Sequence, residues 1–205
     1  IKNMLSSVEI LILSIIQGVS EFLPVSSAAH FVLVSNYYSF TSQNLLIDIC
    51  LHLGSLLAIT FYFRKDFFDL IKNINFLIKI LVGTIPIIPI GYIFYQTGLI
   101  DQLRNLEVIG WMTLVFAIVL YLSDKSKISK KINENFNNKS AIFIGIFQVI
   151  SLIPGVSRSG ITISSGRMLG FSRYDSAKIS FFLSIPTLAA ASILGIFNIY
   201  KEGSK

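Results

Sequence analysis

The chain has 205 residues, 53% of them hydrophobic and 14% charged, with a mean hydropathy of +0.72. A soluble domain carries about 25% charged residues, so this balance excludes an ordinary soluble fold, a disordered chain and a collagen-like one. The formal net charge is +6, from 17 Lys and Arg against 11 Asp and Glu. The basic residues stand between apolar runs, where they set membrane orientation rather than hold nucleic acid.

At roughly 20 residues per span the chain has room for about six or seven apolar segments and none for a second, soluble domain. Residues 1–205 therefore read as one integral-membrane domain. Helix is the expected spanning form, because barrel strands would alternate polar and apolar residues.

In chain order, an uncharged run over Ile10–Ser20 is broken by Glu21, and a second over Phe22–Ile47 contains His30. Together they form a segment interrupted at its middle, Gln17-Gly18-Val19-Ser20-Glu21-Phe22-Leu23-Pro24-Val25-Ser26-Ser27-Ala28-Ala29-His30. A cleaved signal peptide is the rival reading of this region. Glu21 beside the apolar core argues against it, as does an internal near-copy further along the chain. A span is expected at 44–63, with Asp48 near its end as a structural residue or one that backs the site residues, and His52 inside it as a hydrogen-bonded packing residue. Cys50 is the single cysteine, so no intrachain disulfide forms, and it reads as a small packing residue. A basic loop over Arg64–Lys79 leads into a span at 76–96 that Pro86 and Pro89 should kink. The sparse loop Thr97–Leu106 precedes a span at 107–122. Ser123–Lys139 holds five lysines against Asp124 and Glu134 and reads as a solvated loop. A second interrupted segment follows, Gln148-Val149-Ile150-Ser151-Leu152-Ile153-Pro154-Gly155-Val156-Ser157-Arg158-Ser159-Gly160-Ile161-Thr162, and a span at 179–200 closes the chain. By the bias of basic loops to the cytoplasm, 64–79 and 123–139 face inward and 97–106 outward.

Shifting the first interrupted segment by 130 positions lays Phe22-Leu23-Pro24 on Leu152-Ile153-Pro154 and Ser27 on Ser157. Both segments carry an intramembrane proline followed by a serine cluster. With the loop orientation, one hairpin enters from outside and the other from inside. The expected fold is an all-α polytopic membrane protein with inverted repeats, in which two re-entrant broken-helix hairpins meet near the midplane. Repeat 1 covers about 1–122 and repeat 2 about 140–205.

Ionisable groups at membrane depth cost at least about 2.5–3.5 kcal/mol each and mark function by default. Glu21, His30 and Arg158 all fall at or beside the breaks. If each proline ends one helix, Ser26 or Ser27 caps the next in the first segment, and Ser157 or Ser159 in the second. Each new helix then turns free N–H groups and a positive dipole end toward one cavity, which suits an anion. Arg158 adds a planar fork matched to phosphate, and Ser159, Gly160 and Thr162 add hydroxyls and close backbone approach. An ion pair between Arg158 and Glu21 is the structural alternative. Glu21 suits a hard cation or a proton, with Gln17 four residues earlier on the same helical face. Ser27 is a candidate nucleophile, and His30 three residues on is a candidate base, nucleophile or acid.

Gln17-Gly18-x-x-Glu21-Phe22-Leu23-Pro24-Val25-Ser26-Ser27-x-x-His30 and Pro154-Gly155-x-Ser157-Arg158-Ser159-Gly160-x-Thr162 closely resemble the two signature motifs of the bacterial undecaprenyl-pyrophosphate phosphatase, or bacitracin-resistance, family. Asp48-x-x-Leu51-His52-Leu53-Gly54-Ser55-Leu56, Leu169-Gly170-Phe171-Ser172-Arg173 and Phe181-x-x-Ser184-Ile185-Pro186 match as well, so the resemblance covers nearly the whole chain in order. It implies a plasma-membrane enzyme that removes one phosphate from undecaprenyl diphosphate, a polyprenyl diphosphate lipid, to return the monophosphate carrier to cell-wall synthesis. It also implies a divalent cation, Mg2+ or Ca2+, and a site open to the external face. By motif, Gln17 and Glu21 take the acidic and metal position and Ser27 and His30 the catalytic pair. Ser157, Arg158 and Thr162 take the diphosphate clamp, and Ser26, Ser159 and Gly160 are the further candidate substrate-binding residues beside them. The family's first motif admits Glu at Gln17, so the load on Glu21 rises here. Typical members run past position 205, so the chain is expected to be either a short member or cut, and a cut leaves part of the second repeat unpartnered. A membrane transporter or lipid flippase for a phosphate-bearing substrate is the alternative built on the same repeat. Monomer and homodimer both remain open.

Overall fold

The structure, a computed structural model, describes residues 6–38, 45–65, 68 and 72–203. Among them every regular element is helical. Ser6 opens helix α1 (Ser7–Ser20) with a capping box, its hydroxyl accepting from the Glu9 amide while the Glu9 carboxylate accepts from the Ser6 amide. Helix α2 (Ser27–Tyr38) and helix α3 (Leu45–Tyr62) follow. Asn73 caps α4 (Ile74–Thr84), which passes through Ile85 and Pro86 into α5 (Ile87–Gln96). The interruption falls where expected: neither Pro86 nor Pro89 has an N–H to give the preceding turn. A short α6 (Leu99–Leu103) precedes α7 (Leu106–Asp124), capped by Asn105. After α8 (Ile132–Asn135), Asn137 caps α9 (Asn138–Val149), and a 3-10 turn (Ile150–Leu152) ends that helix. Helix α10 (Arg158–Met168) and the long α11 (Arg173–Gly203), with Pro186 inside it, complete the chain.

Three helical stretches among the described residues are long and apolar enough to cross a membrane: Ile74–Gln96, Leu106–Asp124 and Arg173–Phe197. The expected span at 44–63 is helical over 18 residues, about 27 Å at 1.5 Å per residue. The solvent-facing surface of these helices is apolar. On α7, Trp111, Leu114, Ile118 and Tyr121 are all exposed, as suits a helix whose solvent is lipid. Cys50 also lies on an exposed face rather than in the packed interior.

The interior is built where α4, α9, α10 and α11 meet. Ile80, Ile144, Ile179, Phe182 and Leu183 form its centre. The α4–α9 crossing is close because both helices present glycine: a Cβ at Gly145 would lie 2.3 Å from the Gly83 carbonyl oxygen. A smaller cluster of Leu13, Phe31 and Leu51 joins α1, α2 and α3.

One end of the bundle collects the basic segments. Phe63 stacks near Phe181 and Phe182, and Phe76 stacks on Phe136 and Phe182. The stretch 123–139, expected as a solvated loop, is partly packed, with Phe136 and Ile132 buried. Two arginines explain the difference. Buried Arg167 donates to the carbonyls of Asp124 (2.8 Å), Ser126 (2.7 Å) and Phe171, and Arg173 grips the Asp124 carboxylate. The backbone of Ser129 and Lys130 also bonds Gly170. Phe136 and Phe171, which flank the segment from α9 to α10, have ring centroids 6.2 Å apart.

Candidate active site

Both breaks form as the proline and serine pattern requires. Helix α1 stops at Ser20 with Glu21 as its C-cap, and Pro24 follows. Ser26 then caps α2, accepting from the Ala29 amide at 3.3 Å. In the second segment Gly155 adopts φ +97°, a conformation open to glycine, and a Cβ there would fall 2.6 Å from the Ile109 carbonyl oxygen. Ser157 caps α10 by accepting from the Gly160 amide at 3.1 Å. Of the two cap candidates in each segment, Ser26 and Ser157 take the role.

The breaks touch. The carbonyl of Leu23 accepts from Ser159 Oγ and, at 3.5 Å, from Ser157 Oγ. Gly160 lies against the other break, where a Cβ would be in ordinary contact with Pro24 Cα at 3.6 Å; the tighter neighbour is the Ser157 side chain, whose Cβ would be 3.1 Å away. Beside this junction, Arg158 Nη2 donates to Glu21 Oε1 at 2.8 Å. The two side chains are 13% and 6% exposed, so the pair is almost fully withdrawn from solvent. Gln17, 1% exposed, donates through Nε2 to Glu21 Oε2 at 2.8 Å and lies 3.1 Å from His52 Nδ1. Two atoms in this cluster have no partner: Gln17 Oε1 and Arg158 Nη1. Arg158 thus leaves a buried guanidinium nitrogen without an acceptor at the start of an 11-residue helix.

His30 is exposed and its Nδ1 lies 2.7 Å from the Ser26 carbonyl oxygen. A carbonyl only accepts, so Nδ1 carries a proton, and in the neutral ring Nε2 is the nitrogen with the lone pair. No hydrogen bond joins His30 to Ser27, although the two are separated by less than one helical turn. Thr162 is fully buried against α11, with Oγ1 bonded to the Arg158 carbonyl (2.8 Å) and to Ser180 Oγ (2.7 Å). The fold thus brings Gln17, Glu21, Arg158, Ser157, Ser159 and Gly160 together, and sets Thr162 behind α10 as its support. His52 is the member that sequence reasoning missed. Its signals are a histidine inside an apolar span, which a packing role explains equally well, and its place in the Asp48-x-x-Leu51-His52 stretch that matches the family. The side chain of Asp48 lies outside the described residues.

Among the described residues no group of three His, Cys, Asp or Glu side chains gathers around one point. Glu21 is the one carboxylate of the cluster; Gln17 turns its Nε2 to that carboxylate and keeps Oε1 buried without a partner. One carboxylate with an amide oxygen fits a hard cation that takes its remaining ligands from water and phosphate, as Mg2+ does.

Long apolar helices, with two helix breaks joined around a buried carboxylate–guanidinium pair, define the class: an all-helical membrane protein. Residues 10–205 match the family described as bacitracin resistance protein BacA, and the chain belongs to that family. It is 54% identical over 192 residues to the undecaprenyl-diphosphatase of Pelagibacter ubique (strain HTCC1062), covering 93% of this chain and 75% of the relative. The undecaprenyl-diphosphatase of Elusimicrobium minutum (strain Pei191) is 40% identical over 204 residues, covering 95% and 78%. That of Dinoroseobacter shibae is 38% identical over 202 residues, covering 91% and 75%.

Proposed function

We propose that this protein hydrolyses undecaprenyl diphosphate to undecaprenyl phosphate and inorganic phosphate, and so recycles the lipid carrier of cell-wall synthesis. The observation that carries the reading is the Glu21–Arg158 contact at the junction of the two breaks, with Arg158 Nη1 left unpaired. A diphosphate headgroup supplies the anion that this donor lacks, and the apolar helix surfaces suit its prenyl tail.

In this reading Arg158 and the first amides of α10 hold the diphosphate, and the cap on Ser157 keeps that helix start rigid. Ser27 Oγ attacks the terminal phosphorus. Its proton passes to His30 Nε2, the bond from that phosphorus to the bridging oxygen breaks, and undecaprenyl phosphate leaves. Water then cleaves the Ser27 phosphoester and releases inorganic phosphate. Direct attack by His30 Nε2 is the second route, favoured by the absence of a Ser27–His30 hydrogen bond. Gln17 and Glu21 would hold Mg2+ or Ca2+, which would supply charge neutralisation on the phosphate oxygens.

The finer architecture belongs to the same proposal. The segment from α9 to α10 is read as a re-entrant hairpin, supported by the Phe136–Phe171 contact between its two ends. With the first break it makes an inverted repeat, about 1–122 and 140–205, within one domain over 1–205. Helix α10 spans 11 residues from Arg158 to the basic end, about 16 Å. This supports a site near the middle of a hydrocarbon layer about 30 Å thick. The basic end faces the cytoplasm, the site opens outward, and the membrane is the bacterial inner membrane.

The test is phosphate release from a polyprenyl diphosphate by the purified protein in detergent with Mg2+ or Ca2+. Release that stops with chelator and with Arg158→Ala is expected. No release with either cation rejects hydrolysis and leaves transport of the phosphate-bearing lipid as the surviving reading.

A further inference from the structure

Resting on the phosphatase reading, we propose that His52 is a positioning residue for the Glu21–Arg158 pair and acts through the amide of Gln17. Its side chain is 36% exposed, against 6% for Glu21, so the ring is not a packing element. Its Nδ1 lies 3.1 Å from Gln17 Nε2 and 3.9 Å from Glu21 Oε2.

An amide nitrogen has two protons and no lone pair to offer, so both of its neighbours must accept. Glu21 Oε2 takes one N–H at 2.8 Å. His52 Nδ1 takes the other, which places the ring's own proton on Nε2. Turning the amide over would press its oxygen against the carboxylate oxygen at the same distance. Two acceptors on one nitrogen therefore set the amide plane and leave Oε1 as its bare, buried atom.

The consequence reaches Arg158. The Glu21 carboxylate is held at Oε2 by Gln17 and at Oε1 by Arg158 Nη2. With the carboxylate fixed, the guanidinium is fixed too, and Nη1 is the group left for a phosphate oxygen. Without the acceptor on His52, one buried N–H of Gln17 loses its partner and the amide can rotate. The carboxylate then loses its second anchor. His52 achieves this across three elements, α1, α3 and α10, without touching the reacting atoms.

The experiment compares His52→Leu, His52→Asn, Gln17→Leu and the Gln17→Leu/His52→Leu double variant as full chains in detergent. Asparagine sets Oδ1, an acceptor, where histidine has Nδ1. His52→Leu is expected to lower kcat/KM by about three- to tenfold, mainly through KM, the scale of one hydrogen bond. It should also shrink the rise in melting midpoint that inorganic pyrophosphate produces in the presence of chelator. His52→Asn should restore most of both, and His52→Leu should add nothing in the Gln17→Leu background. A His52→Asn variant as impaired as His52→Leu, or additive losses in the double variant, overturns the proposal. If the wild-type protein releases no phosphate, the phosphatase reading falls by itself, while the pyrophosphate-induced shift still decides the role of His52.

Discussion

Glu21 and Arg158 stand 137 positions apart in the chain, and their side chains meet at 2.8 Å. Neither charge would be tolerated alone in this apolar bundle, because an isolated buried ion costs several kcal/mol. The pair is therefore a tie between the two helix breaks, with Nη2 of the guanidinium engaged and Nη1 left without a partner.

Glu21→Ala leaves the guanidinium buried without its counterion, and Arg158→Ala leaves the carboxylate in the same state. Each should lower stability by about 3–5 kcal/mol and abolish phosphate release. The double variant should regain part of the lost melting midpoint but no activity. Thermal melts in detergent alongside phosphate release check this. A double variant less stable than both singles would contradict it.

The two serines beside Arg158 should separate in their effects. Ser157→Ala removes the cap of α10 and should cost about 1 kcal/mol while keeping part of the turnover. Ser159→Ala keeps the cap but cuts the bond to the Leu23 carbonyl, so turnover should fall further than stability. Ser159→Thr, which keeps the hydroxyl, should recover turnover. Melting midpoints and steady-state rates on the same preparations distinguish these patterns.

The α4–α9 crossing has no room for a methyl group at Gly145, whose neighbour there is backbone rather than a flexible side chain. Gly145→Ala should destabilise by about 1–3 kcal/mol or more. Gly110→Ala, on the open side of α7 with nothing within 4 Å, should be neutral or stabilise by about 0.5–1 kcal/mol. Comparison of the two melts tests whether packing, and not helix propensity, decides the outcome.

At the basic end, Arg167 and Arg173 share Asp124 but not their surroundings: Arg167 is 4% exposed and Arg173 79%. Arg167→Ala strips three carbonyls of a charged donor and should cost about 3 kcal/mol or more. Arg173→Ala should leave the melting midpoint nearly unchanged, because exposed ion pairs contribute little. A larger loss from Arg173→Ala would show that the loop 123–139 is held from outside.

Much of the architecture is legible in the amino-acid order because its causes are local. Apolar runs near 20 residues make the helices around 76–96, 107–122 and 179–200; Pro86 interrupts the first of these, and Pro24 and Pro154 mark the two other breaks, each by lacking an N–H. Ser26 and Ser157 become caps because a hydroxyl one residue before a helix satisfies its free amides. The charges at Glu21 and Arg158 announce a site by their cost in lipid.

What spacing alone left open is which partners those groups would find. The same hydroxyl pattern allowed Ser159 to be a cap, yet it binds the carbonyl of Leu23, 136 residues away. The i, i+3 placement of Ser27 and His30 allowed a bonded pair, yet His30 turns to the Ser26 carbonyl. His52 was indistinguishable from a packing histidine until α3 came to lie against α1. Periodicity and propensity act over a few residues and so are written in the sequence. A hydrogen bond depends on angstrom-scale distances between helices remote in the chain, and only their packing decides it.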